Sequence, residues 1–427
     1  MSVSIVKFIE HVSNNAWLVT RYFGGRAKRY VSKYLVRFIH KLILFLDNRV
    51  SKSEAVWAFP VCYLNYHLFD NARPIFEALK NNPDVVKIVL YRREYRPKLA
   101  GKQVRLIKLY SFFGLYWLFR SKVVFVRHCV IQDIGFPISN RKRLVVNLWH
   151  GSPLKKMGIQ AMPNSITGCD SMGAIISSSV KDSQILISSF VYANSENTWV
   201  TGLPRNDLLF TPECDLWQEA RGELDKIRSR LAGRKLVLFA PTFRAAWEKW
   251  ADEKGFYKFS DEQLSTLASI VRQSGAVIGV RTHLREARYV LKAFEGLEVI
   301  VLNDIIETGL VLKMTDVLIS DYSSMIVDYL LTHRPVLSFA FDYEIYREGK
   351  GFLYDLESAF PSPLCLTFDE LASALTSALD EQQKGKEVSE RYCQAINLFH
   401  SFTDGQSTQR VIARTANAIN FCKQIEA

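Results

Sequence analysis

The densest collection of reactive side chains in the sequence is Asn147-Leu148-Trp149-His150-Gly151-Ser152-Pro153-Leu154-Lys155-Lys156-Met157-Gly158. A histidine can take a proton from a hydroxyl near neutral pH. Gly151 lets the backbone approach a ligand closely, Pro153 stiffens the exit, Ser152 adds a hydroxyl, and Lys155 with Lys156 offers positive charge to an anion. In isolation the same residues also read as a turn carrying a solvated lysine pair. Three further clusters change that balance: Pro241-Thr242-Phe243-Arg244, Arg281-Thr282-His283 and Ser320-Asp321-Tyr322-Ser323-Ser324. Arg244 and Arg281 can hold phosphate oxygens through paired N–H bonds, and His283, which could alternatively be a core histidine, can donate to one of them. Ser323 and Ser324 open a helix whose free N–H groups suit a phosphate. A serine there is ordinarily only a cap. Three such clusters together point to a diphosphate site.

Each cluster directly follows an apolar run of strand length, which places it at the carboxyl edge of a parallel sheet, where such sheets bind their ligands. From Ala55 onward strands alternate with helices: strands at 55–59, 87–91, 104–109, 123–126, 144–148 and 173–177, with helices near 70–81, 111–119 and 179–190 between them. That alternation means crossover units and a parallel sheet. Turn formers in Gly202-Leu203-Pro204-Arg205-Asn206-Asp207 mark the passage between domains. A charged helix over 212–231 follows, and the scheme repeats, with strands at 236–240, 276–281, 298–301, 316–319 and 336–340 and helices at 260–274, 286–294, 306–314 and 323–332. The expected fold is α/β, two doubly wound Rossmann-like domains facing a cleft, over residues 51–205 and 206–427. Residues 1–50 form a separate arm. Within it the apolar residues Val31, Tyr34, Leu35, Phe38, Leu42, Phe45 and Leu46 recur at helical spacing beside a stripe of Arg29, Lys33, Arg37 and Lys41, after Trp17, Tyr22 and Phe23. This basic amphipathic helix suits an anionic membrane interface, or else an ordinary helix docked on the core.

The length exceeds what one ordinary core organises, and the formal charge of +12 favours an anionic partner. Seven scattered cysteines without a Cys-x-x-Cys pair argue against a disulfide framework and a zinc site, and suit a reducing cytoplasm. No apolar run is long enough to span a bilayer, and no signal peptide is visible. Gly-x-Gly-x-x-Gly, the P-loop and Asp-x-Asp are all missing, so the sequence supports no dinucleotide cofactor and no metal-dependent glycosyl transfer. Basic residues gather in the arm instead of alternating with aromatics along a groove, which excludes nucleic acid as the expected partner.

The motifs are similar to those of the CDP-glycerol glycerophosphotransferase family, the teichoic acid primases and polymerases and their capsule-synthesis relatives. The resemblance rests on Phe69-Asp70-Asn71, Trp149-His150-Gly151-Ser152-Pro153-Leu154-Lys155, Gly202-x-Pro204-Arg205-x-Asp207, Ala240-Pro241-Thr242-x-Arg244, Arg281-x-His283, Asp316-Val317-Leu318-Ile319-Ser320-Asp321-Tyr322-Ser323-Ser324 with Asp328, and Phe402-x-Asp404-Gly405. It implies a GT-B fold attached peripherally to the inner face of the cytoplasmic membrane. It also implies a CDP-glycerol or other CDP-alditol donor and a lipid-linked or polymeric acceptor, with no cofactor. In that reading His150 is the base on the acceptor hydroxyl. His283 joins it at the reaction centre and, with Arg281, Ser320, Ser323 and Ser324, holds the diphosphate, while Gly151, Ser152, Lys155, Thr242, Arg244 and Asp321 complete the substrate contacts. Leu284, Ala245 and Ser362 depart from the family's usual proline, aspartate and glycine, which bears on the donor's alditol. A glycosyltransferase using a nucleotide sugar and a non-catalytic scaffold binding anionic polymer or membrane are the competing readings.

Overall fold

The computed structural model describes residues 26–61, 67–92, 96–161, 173–242, 244, 256–282, 287–384 and 388–426. The first 25 residues of the arm, with Trp17, Tyr22 and Phe23, lie outside this range, as does His283. The alternating pattern folds into two sheets. In the first, β1 (Ser53–Pro60), β2 (Val86–Tyr91), β3 (Val104–Lys108), β4 (Ser121–Val126), β5 (Leu144–Asn147), β6 (Ala174–Ser177) and β7 (Thr198–Val200) take the order β3-β2-β1-β4-β5-β6-β7. In the second, β8 (Lys235–Phe239), β9 (Ala276–Val280), β10 (Val299–Val301), β11 (Val317–Ser320), β12 (Val336–Phe339) and β13 (Leu364–Cys365) take the order β10-β9-β8-β11-β12-β13. Neighbouring strands pair in parallel in both sheets. The order reverses direction between β1 and β4 and between β8 and β11. At such switch points the loops diverge and leave a crevice outside the strand ends. The architecture is the expected GT-B-like pair of doubly wound domains.

Strands covered on both faces need apolar side chains throughout, and Val145, Val146, Leu236, Val237 and Leu238 are all fully buried. The helix Phe112–Arg120 packs on one face of the first sheet through Leu115, Leu118 and Phe119. The other face is covered by the helix Ala72–Leu79 and, from the far end of the chain, by Val411 and Ile419 of the helix Ser407–Glu426. The last helix therefore crosses back to the first domain. Asp207 fixes its start by accepting bonds from the Ser407 and Thr408 N–H groups at 3.0 and 2.7 Å.

The arm is a helix from Arg26 to Arg49 that serves two ends. Ile43 enters the first core, and Asp47, fully buried, pairs with Lys52 at 2.7 Å and with Arg143 and accepts from the Ser139 N–H at 2.7 Å. The side chains of Leu35, Phe38, Leu42 and Phe45 remain exposed along the opposite stripe.

Candidate active site at the domain cleft

The loop after β5 turns sharply because two residues leave ordinary backbone space. Trp149 has φ +52° and Gly151 φ +135°. Asn147 holds the turn, its side-chain oxygen accepting from the Trp149 N–H at 2.8 Å. Trp149 packs against Phe190 with ring centroids 5.2 Å apart, and the His150 ring lies against the Trp149 ring at 4.2 Å. Beyond it the chain docks on the other domain. Leu154 is buried among second-domain residues and its carbonyl accepts from the Leu353 N–H at 2.9 Å, while Lys155 pairs with Phe352 as an isolated bridge. Gly151 has no room for a side chain: a Cβ there would lie 2.7 Å from the Arg205 guanidinium and 2.9 Å from Ser324 Oγ. The histidine loop and the serine loop after β11 thus meet.

A charged network ties this meeting point together. The Arg205 guanidinium, nearly buried, donates to Asp328 of the second domain, to Asp70 of the first at 3.4 Å and to the His150 carbonyl at 2.8 Å. Asn71 donates to the Leu148 carbonyl at 2.8 Å and accepts from the Arg205 N–H at 3.0 Å. Asp70 also pairs with Arg127 at 2.8 Å. Burial would raise the Asp70 carboxyl, but Arg127 and Arg205 outweigh it and hold the group down at about 2. Glu307, whose carboxyl accepts from the Asp70 N–H at 3.2 Å, is instead pushed up to about 8 by burial and then by the Asp70 charge. His150 is pushed down to about 3 by burial, then by the nearby His128 and Arg127. Its Nδ1 is buried without a hydrogen-bond partner. A neutral imidazole of this kind keeps its lone pair available at physiological pH, and negative charge brought by a substrate raises its basicity.

The second edge is built differently. Arg244, almost fully buried, is clasped by Asp321 at 2.7 Å and Asp342 at 3.0 Å. Asp321 in turn accepts from the Thr242 N–H at 2.7 Å. Arg281 donates to the carbonyls of Leu302 and Ile305 at 2.6 and 2.8 Å and to Thr308 Oγ1 at 3.0 Å. Burial lowers it to about 10, still charged at neutral pH. Ser323 and Ser324 are half-buried at the cleft.

The family model for CDP-Glycerol:Poly(glycerophosphate) glycerophosphotransferase matches residues 52–417. The chain belongs to this family. It is 26% identical to the teichoic acid poly(glycerol phosphate) polymerase of Bacillus spizizenii over 407 residues, covering 88% of this chain and 96% of the relative. It is 25% identical to the teichoic acid ribitol-phosphate primase of the same organism over 369 residues, covering 82% of this chain and 88% of the primase. Among solved structures, the wall teichoic acid polymerase TagF superposes with a TM-score of 0.69 at 23% identity, covering 92% of this chain and 96% of that one. This last likeness concerns the fold.

Of the residues that the sequence singles out for this glycerophosphotransferase-family chain, His150, Gly151, Ser323 and Ser324 come together at the cleft, with Arg281 half-buried at the carboxyl end of β9. Five others, Ser152, Ser320, Asp321, Arg244 and Thr242, are buried away from it. Ser152 is fully buried and its hydroxyl lies 2.6 Å from Ser178 Oγ, where it holds the loop. Ser320 donates to the Ala240 carbonyl at 2.6 Å, and both it and Asp321 are enclosed. Arg244 has its charge matched within its own domain. Thr242 is also buried, with its hydroxyl unpartnered. The sequence reading gave no role to Asp70, Asn71, Arg205, Asp328, His128, Asp133 or Glu307. Asp70, Asn71, Arg205 and Asp328 stood in the resemblance motifs, and that was the available signal. Among the described residues no helix is long and apolar enough to cross a membrane.

Proposed function

We propose that the chain transfers an alditol phosphate from a CDP-alditol to an acceptor hydroxyl, with release of CMP. The acceptor oxygen attacks the β-phosphorus as its proton passes to His150, and the bond from that phosphorus to CMP breaks. Family membership supports the reaction class. The observation that carries the assignment of the base is the contact of Gly151 with Ser324, which brings an imidazole with an unused lone pair to the edge where hydroxyls and Arg281 can receive phosphate oxygens. A placed base contributes roughly 10²- to 10⁴-fold. His283 and Lys155 belong to the same proposal as donors to the diphosphate. Both glycerol- and ribitol-phosphate enzymes are among the relatives, so the donor proposed is a CDP-alditol, with CDP-glycerol the first to test.

The direct test offers the purified protein CDP-glycerol, CDP-ribitol and a panel of nucleotide sugars and measures the nucleotide released. CMP from a CDP-alditol, abolished in His150→Ala with CDP affinity retained, is the expected result. Release of nucleotide only from a sugar donor would sink the reading. For the acceptor we propose a lipid-linked or polymeric hydroxyl at an anionic membrane surface. Support comes from the exposed stripe Leu35, Phe38, Leu42 and Phe45 and from the exposed Phe112, Phe113 and Tyr116 of the helix Phe112–Arg120, which packs against the same core as the arm. Phe38→Ser with Phe45→Ser should leave the fold intact and weaken sedimentation with anionic vesicles. Removal of residues 1–50 should unfold the first domain, since it takes away Ile43 and Asp47.

A further inference from the structure

We propose that His128, backed by Asp133, is a second acid–base group of this site and the place where the proton removed from the acceptor comes to rest. The inference rests on the transferase reading above. His150 has one deficiency as a base: no carboxylate is hydrogen-bonded to its Nδ1. Its Nδ1 has no partner, Asp70 is engaged by Arg127 and Arg205, and a protonated His150 would stand beside both guanidinium groups. An imidazolium left there is unfavourable, and the next turnover requires its proton to leave.

The loop after β4 supplies what is missing. His128 and His150 follow neighbouring strands, and Asn147 ties them by donating to the His128 carbonyl at 2.9 Å. Their rings lie 4.9 Å apart, centroid to centroid, tilted by 37°. Asp133 Oδ1 stands 3.3 Å from His128 Nδ1. That carboxylate is itself fixed, its other oxygen accepting from the N–H groups of Arg127 at 2.6 Å and His128 at 2.8 Å. Arg92 secures the same turn by donating to the Asp133 carbonyl at 2.5 Å. A carboxylate on Nδ1 fixes the tautomer, leaves the basic lone pair on Nε2 and stabilises the ring once it is protonated. His128 keeps 17% of its side-chain surface exposed, whereas Asp133 keeps 2%. The imidazole therefore has a route to solvent and its carboxylate does not.

The balance of the step is unchanged. The acceptor O–H breaks, the O–P bond forms, CMP leaves with the electron pair of its P–O bond, and the proton passes from His150 to His128. The charged and titratable groups facing His128 are Asp133, His150, Arg127 with its partner Asp70, and Arg92 across the Asp133 turn. Asp133 is an acid in contact with the ring, 3.3 Å from Nδ1.

The test uses the full chain and CDP-glycerol or CDP-ribitol, whichever releases CMP. His128→Asn keeps a donor toward Asp133 but loses the basic nitrogen. It should retain CDP affinity and thermal stability and lose about 10²-fold in kcat, near the lower end of what a placed base contributes. His128→Ala should be partly rescued by added imidazole, which a merely structural role would not allow. Asp133→Asn should lower kcat while CDP affinity is retained. If His128→Asn folds and turns over within twofold of wild type with an unchanged pH profile, the proposal is overturned while the transferase reading stands. If His128→Asn fails to fold, His128→Gln and the imidazole rescue decide on the same criteria. No CMP release by the wild type from either donor overturns both.

Discussion

The two sheet edges that face the cleft are alike in topology and opposite in how they compensate charge. At the first edge the ion pairs cross the domain boundary: Arg205 and Asp70 belong to one side and Asp328 to the other. At the second edge they close within one domain, Arg244 between Asp321 and Asp342. A buried charge without its partner is costly, so the first edge is complete only when the domains are together, while the second is complete by itself. The geometry around His150 is consequently coupled to domain closure. For the base proposed at His150 that is an advantage, because water excluded from the cleft strengthens each electrostatic contact.

Arg205→Met should produce the largest effect, because it leaves Asp70 and Asp328 facing each other across the boundary. Breaking one partner of a buried pair costs about 3–5 kcal/mol. Chemical denaturation should register that loss, and CMP release should fall with it since the His150 carbonyl also loses its donor. Arg244→Met should match it in stability yet leave the association of the domains unaltered, as read by limited proteolysis in the 202–207 passage. Equal proteolytic sensitivity of the two variants would abolish the distinction between the edges. Adding Asp328→Asn to Arg205→Met should restore part of the stability, a coupling that a double-mutant cycle measures directly.

Arg281→Ala comes next. If its only task were to receive phosphate, it would lower CDP affinity and spare stability. It also satisfies two carbonyls and the Thr308 hydroxyl, so both should fall, with about 1–3 kcal/mol for the buried acceptors left unpaired. Ser323→Ala should weaken CDP binding alone. A calorimetric titration paired with thermal unfolding separates these outcomes, and an Arg281→Ala variant of native stability would return that residue to a pure binding role.

The contrast also explains what the sequence could disclose. Strands buried on both faces carry a strong apolar signal, so β5 and β8 were legible almost to the residue, and a polar cluster directly after such a strand marks a sheet edge. That signal placed the His150 loop and the Ser323 loop at the two sheet edges that meet. It could not say which polar residue faces the cleft. Ser152 and Ser324 look equivalent in sequence, yet one bonds to Ser178 in the interior and the other meets Gly151. Nor could it find Arg205, whose position in a Gly-Leu-Pro-Arg turn reads as a linker, because the importance of that arginine lies in two carboxylates 135 and 123 positions away along the chain. The helix Ser407–Glu426 escaped assignment to the first domain for the same reason. Local pattern carries no information about long-range return.

Glu307→Gln tests the comparison with the smallest and most specific effect. Asp70 and Glu307 are adjacent carboxyl groups with opposite behaviour, one held down at about 2 by two arginines and the other pushed up to about 8 by burial and by Asp70 itself. The signs follow from which state holds the proton more tightly. Asp70 contributes stability that is present above the ordinary carboxyl range and lost as pH falls toward 2. Glu307 keeps its proton in the folded protein after the unfolded chain has released it, so its contribution is lost as pH rises from about 4.5 to about 8. Glutamine keeps an oxygen for the Asp70 N–H and removes the titration. The wild type should therefore lose about 1–2 kcal/mol relative to Glu307→Gln between pH 5 and pH 8, each pKa unit being worth ~1.4 kcal/mol. The full value is not expected, because Glu307 and Glu223 line a cavity of about 160 Å³ between the domains, beside His67, Arg73 and Lys98, and water entering it relieves the charged form. Urea unfolding of both proteins at pH 5, 6.5 and 8 measures the difference. Parallel curves would mean that Glu307 is ionised throughout, and that the first edge tolerates two adjacent negative charges without the domains separating.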